Sequence, residues 1–275
     1  MQLIDIGVNL TDKQFDKDRT EVIERAFQNG IGQMILTGSS IESSIESQKI
    51  AKQYPNKLFS TAGIHPHDAK TFTPDSLTIL EQLIAEKEVV AVGECGLDFN
   101  RMFSPRDVQE ECFEAHLHLA RKYSMPLFLH ERDAFDRFTQ IFENYKDLTE
   151  RAVVHCFTGD EEQVKKYVSL GFYIGVTGWI CDERRGEALQ NAVKYIPLDR
   201  LLIETDAPYL LPRNMENKPK NRRNEPAYLP HIAKEIAKYM GVSTEDVIQH
   251  ATENTRRLFH LPDINYDNFL KNKEC

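Results

Sequence analysis

Short apolar runs alternate along this chain with longer amphipathic stretches. Eight runs carry the apolar pattern of buried strands: around Leu3-Asp5, Gln33-Thr37, Lys57-Thr61, Val89-Gly93, Pro126-Leu129, Ala152-Val154, Phe172-Val176 and Leu201-Thr205. Between most of them lie helix-like stretches, at Arg19-Asn29, Ile45-Gln53, Asp75-Lys87, Arg106-Lys122, Phe135-Asn144, Asp160-Leu170 and Glu187-Tyr195. Gly30, Gly171 and the Met125-Pro126 pair punctuate helix ends. Eight such units predict an α/β fold, a (β/α)8 TIM barrel. The stretch from about 226 to 262 is helical in pattern and is expected to pack on the outside of that barrel. With no Gly/Ser linker, repeat or low-complexity stretch, one domain over residues 1–275 is the simplest expectation.

Four of the runs end in a residue able to bind a metal. Val89-Gly93 leads into Glu94, Pro126-Leu129 into His130, Ala152-Val154 into His155, and Leu201-Thr205 into Asp206. In β/α barrels the active site gathers at the carboxyl ends of the strands. A lone His or Glu at a strand end is usually structural. Four ligating types delivered to one rim by four strands point instead to a hydrolytic metal site. Mixed imidazole and carboxylate ligation suits Mg2+, Mn2+ or Zn2+, and the residues do not choose among them.

Other positions at the same rim follow. His65, in His65-Pro66-His67-Asp68 after the third run, is placed to hydrogen-bond a substrate phosphate, with His67 the weaker choice. Arg132, beyond His130, and Arg184-Arg185, beyond the seventh run, are natural partners for phosphate oxygens and equally ordinary surface residues. Trp179, the only tryptophan, either stacks on a base or packs beneath a loop. His116 and His118 share a helix-like segment, where positions two apart diverge by roughly 200° and cannot share an ion. The irregular stretch from Pro212 to Pro226 holds Arg213, Lys218, Lys220, Arg222 and Arg223, and is expected to overhang the site as a functional loop.

Composition narrows the setting. A net charge of -9, from 34 Lys+Arg against 43 Asp+Glu, excludes a broad basic surface coating nucleic acid. It leaves room for local binding of a phosphodiester by a metal and a few arginines. No segment approaches membrane-spanning length. The start, Met1-Gln2-Leu3-Ile4-Asp5, enters a strand-like run without the basic and apolar stretches of a secretory signal, so a cytoplasmic protein is expected. The five cysteines, Cys95, Cys112, Cys156, Cys181 and Cys275, have no C-x-x-C spacing and read as reduced thiols. Strand alternation should point Cys95 and Cys156 away from their neighbours Glu94 and His155, as buried fillers.

Five ordered motifs carry a family resemblance. They are Val92-Gly93-Glu94-Cys95-Gly96-Leu97-Asp98, Leu129-His130-Glu131-Arg132-Asp133-Ala134, His155-Cys156-Phe157-Thr158-Gly159, Ile203-Glu204-Thr205-Asp206-Ala207-Pro208-Tyr209 and Arg223-Asn224-Glu225-Pro226. Together they resemble the TatD-type metal-dependent deoxyribonucleases, over nearly the whole chain. The resemblance implies a TIM barrel of the amidohydrolase-like superfamily. It implies a cytoplasmic, Mg2+-dependent 3′→5′ exonuclease on single-stranded DNA and RNA, acting in repair after oxidative damage. By motif, Glu94, His130 and His155 are metal ligands, Asp206 ligates the metal or serves as general base, and His65 sits at the substrate phosphate; Arg132, Arg222 and Arg223 are the arginines expected to bind substrate.

One departure from the wider family stands at the first strand. Many relatives place His-x-His there; this chain has Gly7 and Asn9. A single tightly held ion is therefore expected, joined by another only when substrate supplies oxygens. The residues also leave open a lactone, amide or ester hydrolase on the same barrel, and a catalytically inactive nucleic-acid-binding relative. No obligate protein partner is evident, and a monomer is expected.

Overall fold

The computed structural model describes residues 2–263; Met1 and everything beyond 263, including Cys275, lie outside the described residues. Eight strands form one sheet in sequence order: β1 (Leu3–Val8), β2 (Ile31–Leu36), β3 (Leu58–Ala62), β4 (Val89–Asp98), β5 (Leu127–Arg132), β6 (Ala152–Val154), β7 (Tyr173–Val176) and β8 (Leu201–Ile203). Each pairs in parallel with the next. The seam between the last and first strands closes through a parallel bridge between Val8 and Ala207. There the Asp206 N–H donates to the Gly7 carbonyl at 2.9 Å, and the Asn9 N–H to the Ala207 carbonyl at 2.8 Å. The predicted barrel is the observed one.

The connecting helices are α1 (Arg19–Gln28), α2 (Ile41–Lys52), α3 (Pro74–Ile84), α4 (Arg106–Tyr123), α5 (Phe135–Phe142), α6 (Glu161–Leu170) and α7 (Glu187–Ala192). Local chemistry sets their ends. Ser40, Thr73 and Asp160 form reciprocal capping boxes at the starts of α2, α3 and α6. Gly171 closes α6 at φ 98°, a conformation with little cost to glycine alone.

Alternation along the strands builds two apolar layers. Leu127, Leu129, Ala152, Val154, Leu201 and Ile203 face the helices in one large core. Ile4, Ile6, Phe59, Val90, Phe128, Val153, Tyr173 and Leu202 fill the barrel interior. Two further helices, α8 (Leu229–Met240) and α9 (Thr244–Phe259), contact the barrel at β1 and β8, and Leu258, Phe259 and Leu261 join the interior cluster. Residues at i+2 from an interior apolar residue arrive inside the barrel one layer higher. His130 follows Phe128, His155 follows Val153, and Glu204 follows Leu202 in this way.

Strand β4 is longer than its apolar run implies. It continues through Glu94 to Asp98, and its register with β5 slips between Gly93 and Cys95. Glu94 is the extra residue of a β-bulge, a device that re-aims one side chain. Gly93 makes it possible: its φ is 137°, and a Cβ there would collide with the Phe128 carbonyl oxygen.

Below the rim, Asp5 of β1 is fully buried at the β1–β8 seam. Its Oδ1 accepts the Thr205 N–H at 2.9 Å, and its Oδ2 lies 2.5 Å from the Thr205 hydroxyl. Burial pushes its carboxyl up from 3.8 to about 8, so the folded chain holds a proton that the unfolded chain releases. Stability from this group is therefore present at low pH and is lost as pH rises towards 8. Asp5→Asn keeps the shape and offers an N–H to Thr205. Its melting temperature relative to the parent should become steadily more favourable from pH 5 to 8 in thermal scans. A difference independent of pH would show that Asp5 is ionised in the folded state.

Candidate metal centre

The rim brings three imidazoles onto one carboxylate oxygen. Glu94 Oε1 lies 2.7 Å from His155 Nε2, 3.0 Å from His130 Nδ1 and 3.3 Å from His65 Nε2. His65, Glu94 and His130 each present a donor atom within 4.8 Å of the others, the spacing at which one ion can be shared. Protons on the rings join these nitrogens to the oxygen, and a cation could take their place.

Hydrogen bonds at the far side of each ring decide which nitrogen an ion would take. Glu204 Oε2 sits 3.3 Å from His155 Nδ1 and Glu94 Oε1 2.7 Å from its Nε2, and against burial the two carboxylates raise the ring's pKa. The proton on Nδ1 is held by Glu204, and the one on Nε2 is the one an ion would displace. Asp98 Oδ2 sits 3.3 Å from His130 Nε2 and holds a proton there in the same way, leaving the Nδ1 proton, towards Glu94, as the one an ion would displace. These are the carboxylate–histidine pairs that orient metal ligands. His65 differs. Its Nδ1 accepts the His67 backbone N–H at 3.1 Å, so the ring proton is on Nε2. Burial lowers its pKa, with the neighbouring Glu94 charge opposing, and the ring stays neutral. His65 therefore faces the centre as a hydrogen-bond donor.

Charge follows the same pattern. Burial alone would raise the Glu94 carboxyl, but His65, His155 and His130 hold it well below the usual carboxylate range. Burial likewise opposes ionisation of Asp98, and hydrogen bonds from His130 and His67 outweigh it. Asp206 has less help. Its Oδ1 accepts the Asn9 amide at 2.9 Å, yet burial and the nearby Glu94 and Glu204 charges bring its carboxyl up to about 7. The sequence-identified Glu94, His130, His155, Asp206 and His65 all line one cavity of about 500 Å³.

Arg132 lines that cavity; Arg222 and Arg223 do not. Arg223 is buried, 2.6 Å from Asp18 and 2.8 Å from Glu225, while Arg222 points to solvent. Neither of these two arginines, expected to bind substrate, is brought to the cavity wall. The expected overhanging loop spends its cations elsewhere too, with Arg213 2.7 Å from Glu183. Asn224 shows what the motif does instead: its amide donates to the carbonyls of Thr205 (2.9 Å) and Tyr209 (2.7 Å), pinning the segment that carries Asp206. The expected direction of Cys156 is corrected. The chain turns left-handed there, at φ 45°, so strand alternation lapses and the residue joins the cavity wall. Cys95 remains buried in the core.

Glu204 and Asp98 were overlooked in the sequence. Period-two spacing from Leu202 through Glu204 to Asp206 was the available signal for the first. Glu204 also lies against the first-strand departure. A Cβ on Gly7 would meet its Oε2, and one on Gly175 would come within 2.7 Å of its Oε1, both contacts with the end of a side chain and not with backbone.

Fold and donor set together define a class, an amidohydrolase-like barrel whose rim carries the donors of a divalent-metal hydrolase. Comparison with known proteins narrows it. The family profile described as "TatD related DNase" matches residues 4–260, and the chain belongs to that family. A protein of Rahnella sp. named 3'-5' ssDNA/RNA exonuclease TatD is 50% identical over 94% of this chain and 98% of its own length. A Salmonella typhimurium protein of the same name is 48% identical, over 94% and 99%. The crystal structure of a TatD family hydrolase from Entamoeba histolytica superposes with a TM-score of 0.86 at 29% identity, over 95% and 99% of the two chains.

The Glu204–His155 pair is testable by metal affinity. In Glu204→Gln the amide donates to Nδ1 and drives the ring proton onto Nε2, the wrong end for ligation. Calorimetric titration of metal-stripped protein with Mn2+ should show affinity reduced about 10–100-fold, with circular dichroism unchanged. Equal affinity in the two proteins would remove Glu204 from the centre.

Proposed function

We propose that this chain is a metal-dependent 3′→5′ exonuclease that hydrolyses phosphodiester bonds of single-stranded DNA and RNA. The observation that carries the reading is the convergence on Glu94 Oε1 of His130 and His155, each with its far nitrogen held by a carboxylate behind it. Glu94, His130 and His155 would hold a divalent cation, with Asp206 beside them. Bound there, Mg2+ (or Mn2+ or Zn2+) supplies Lewis acidity towards the phosphoryl oxygen and acidifies water.

The remaining chemistry belongs to the chain. Asp206, with its carboxyl brought to about 7 by burial, is poised to take a proton from the attacking water near neutral pH. Asn9 holds one of its oxygens and so aims the other. His65 donates its Nε2 proton to a phosphate oxygen, a role consistent with its tautomer. The rim suits unpaired bases. Phe103, 53% exposed, packs edge-on against His67, and Tyr209, 49% exposed, lines the mouth. Exposed aromatic faces of this kind stack bases that a duplex keeps hidden. Relatives that match almost end to end are named for single-stranded DNA and RNA exonuclease activity.

Among the described residues no helix is long and apolar enough to cross a membrane. We place the protein in the cytoplasm as a single-domain monomer, trimming 3′ ends during repair of oxidised DNA.

The decisive assay gives Mg2+-loaded protein end-labelled strands blocked at one end or the other. A 5′-blocked strand should be shortened to mononucleotides and a 3′-blocked strand spared. Asp206→Asn should lower turnover by about 10²-fold to 10⁴-fold. Near-full turnover in that variant would disprove the base assignment, and hydrolysis of lactones or esters in place of strands would replace the nuclease reading.

A further inference from the structure

We propose that Trp179 racks Arg132 and Arg185 into a clamp for the backbone phosphate adjacent to the one being hydrolysed. The inference rests on the nuclease reading and names how that same site holds a strand. Trp179 stands in a short 3-10 turn after β7, Gly178–Cys181. Its backbone N–H donates to the Thr177 hydroxyl at 3.2 Å, and its indole N–H to the Arg185 carbonyl at 3.2 Å. The guanidinium of Arg185 lies 4.4 Å from the indole ring centre and that of Arg132 lies 5.3 Å away. Two arginines, one at the end of β5 and one on the turn after β7, thus meet on one aromatic side chain. All three residues line the cavity.

The charge arrangement says what the pair is for. The acidic residues lining the cavity are Asp68, Glu94, Asp98, Glu131 and Asp206; its only cationic ones, among the described residues, are Arg101, Arg132 and Arg185. A polyanion entering this cavity meets repulsion except where arginines or bound metal offset it. The basic loop does not line the cavity: Arg213 faces Glu183, Arg223 faces Asp18, and Arg222 points to solvent. Arg132 makes no ion pair among the described residues. Arg185 shares Asp182 with Arg184, both at 3.1 Å, and with Arg213 at 3.6 Å, which also faces Glu183; three guanidiniums thus meet two carboxylates and positive charge remains. Stacking on indole fixes a guanidinium plane without consuming its donors, which lowers the entropy lost on gripping phosphate.

Position fits the neighbouring phosphate. Arg132 lies two residues beyond His130 on the same strand, hence on the same face and roughly 6.6 Å farther along β5. That step is comparable to the separation of successive phosphates in an extended strand. Arg132 and Arg185 are accordingly placed to touch the strand beside the metal-facing phosphate.

The experiment measures kcat/KM on a single-stranded oligonucleotide against KCl concentration, at fixed Mg2+. Arg132→Gln and Arg185→Gln should each raise KM about 10-fold with kcat nearly kept, the loss of a charged hydrogen bond. Each should also flatten the plot of log(kcat/KM) against log[KCl] by about 0.7, one phosphate contact on single strands. Arg132→Lys and Arg185→Lys should restore the slope while recovering only part of the affinity. Trp179→Leu should raise KM with the slope kept, and Trp179→Phe should restore it. Unchanged slopes in both glutamine variants overturn the clamp while leaving the nuclease reading intact. So does a fall in kcat without a rise in KM. If the parent protein cleaves no strand at all, the nuclease reading itself fails and takes the clamp with it.

Discussion

The carboxylate of Glu94 is the point on which the rest of the rim depends. A buried carboxylate is costly unless paired, and here one oxygen faces three imidazole nitrogens. His155 and His130 are oriented by carboxylates supplied from other strands, and His65 from within its own turn. Glu204 arrives from the end of β8, Asp98 from the end of β4, and the His67 N–H from the turn after β3. Removing the bulge at Glu94 would swing its side chain towards the helices and leave those rings facing one another. The glycine at 93, the slip in register and the polarity of the rim are therefore one feature of the chain.

Much of this was legible in the sequence because the barrel translates linear spacing into depth. The apolar runs gave all eight strands in order, with ends shifted by a few residues. His130, His155 and Glu94 were visible because each directly follows its run. Glu204 was not, since it lies inside a run that was read only for its last residue. Asp98 was hidden by the length of β4: a bulge keeps a strand going past the point where alternation breaks. Cys156 was misplaced for the converse reason, a left-handed turn that no propensity at His155-Cys156-Phe157 announces.

The arginines teach a different lesson about charge. A cluster of basic residues on an irregular loop looks like a binding surface, but proximity in sequence says nothing of which acids wait nearby. Arg223 finds Asp18 and Glu225, and Arg25 lies 2.9 Å from the same Glu225. That buried network fixes the loop against α1 and lets Asn224 hold the carbonyls of Thr205 and Tyr209. The loop contributes by placing the Asp206 segment, which is a structural service to the site. The arginines that do face the cavity come from three separate places, the end of β5 and the turns after β4 and β7, far apart in the sequence.

Space and charge meet at the first strand. Gly7 and Asn9 read as losses when set against a His-x-His pattern. In the folded chain each serves the site directly, since Gly7 leaves room for the Glu204 carboxylate and the Asn9 amide holds Asp206 at 2.9 Å. A carboxylate behind His155 and an aimed aspartate take the place of two imidazoles. A side chain at position 7 would meet Glu204 Oε2, the end of a long side chain, so positions 7 and 204 share one space across the β1–β8 seam, and a larger residue on β1 would be admitted by displacing the carboxylate behind His155.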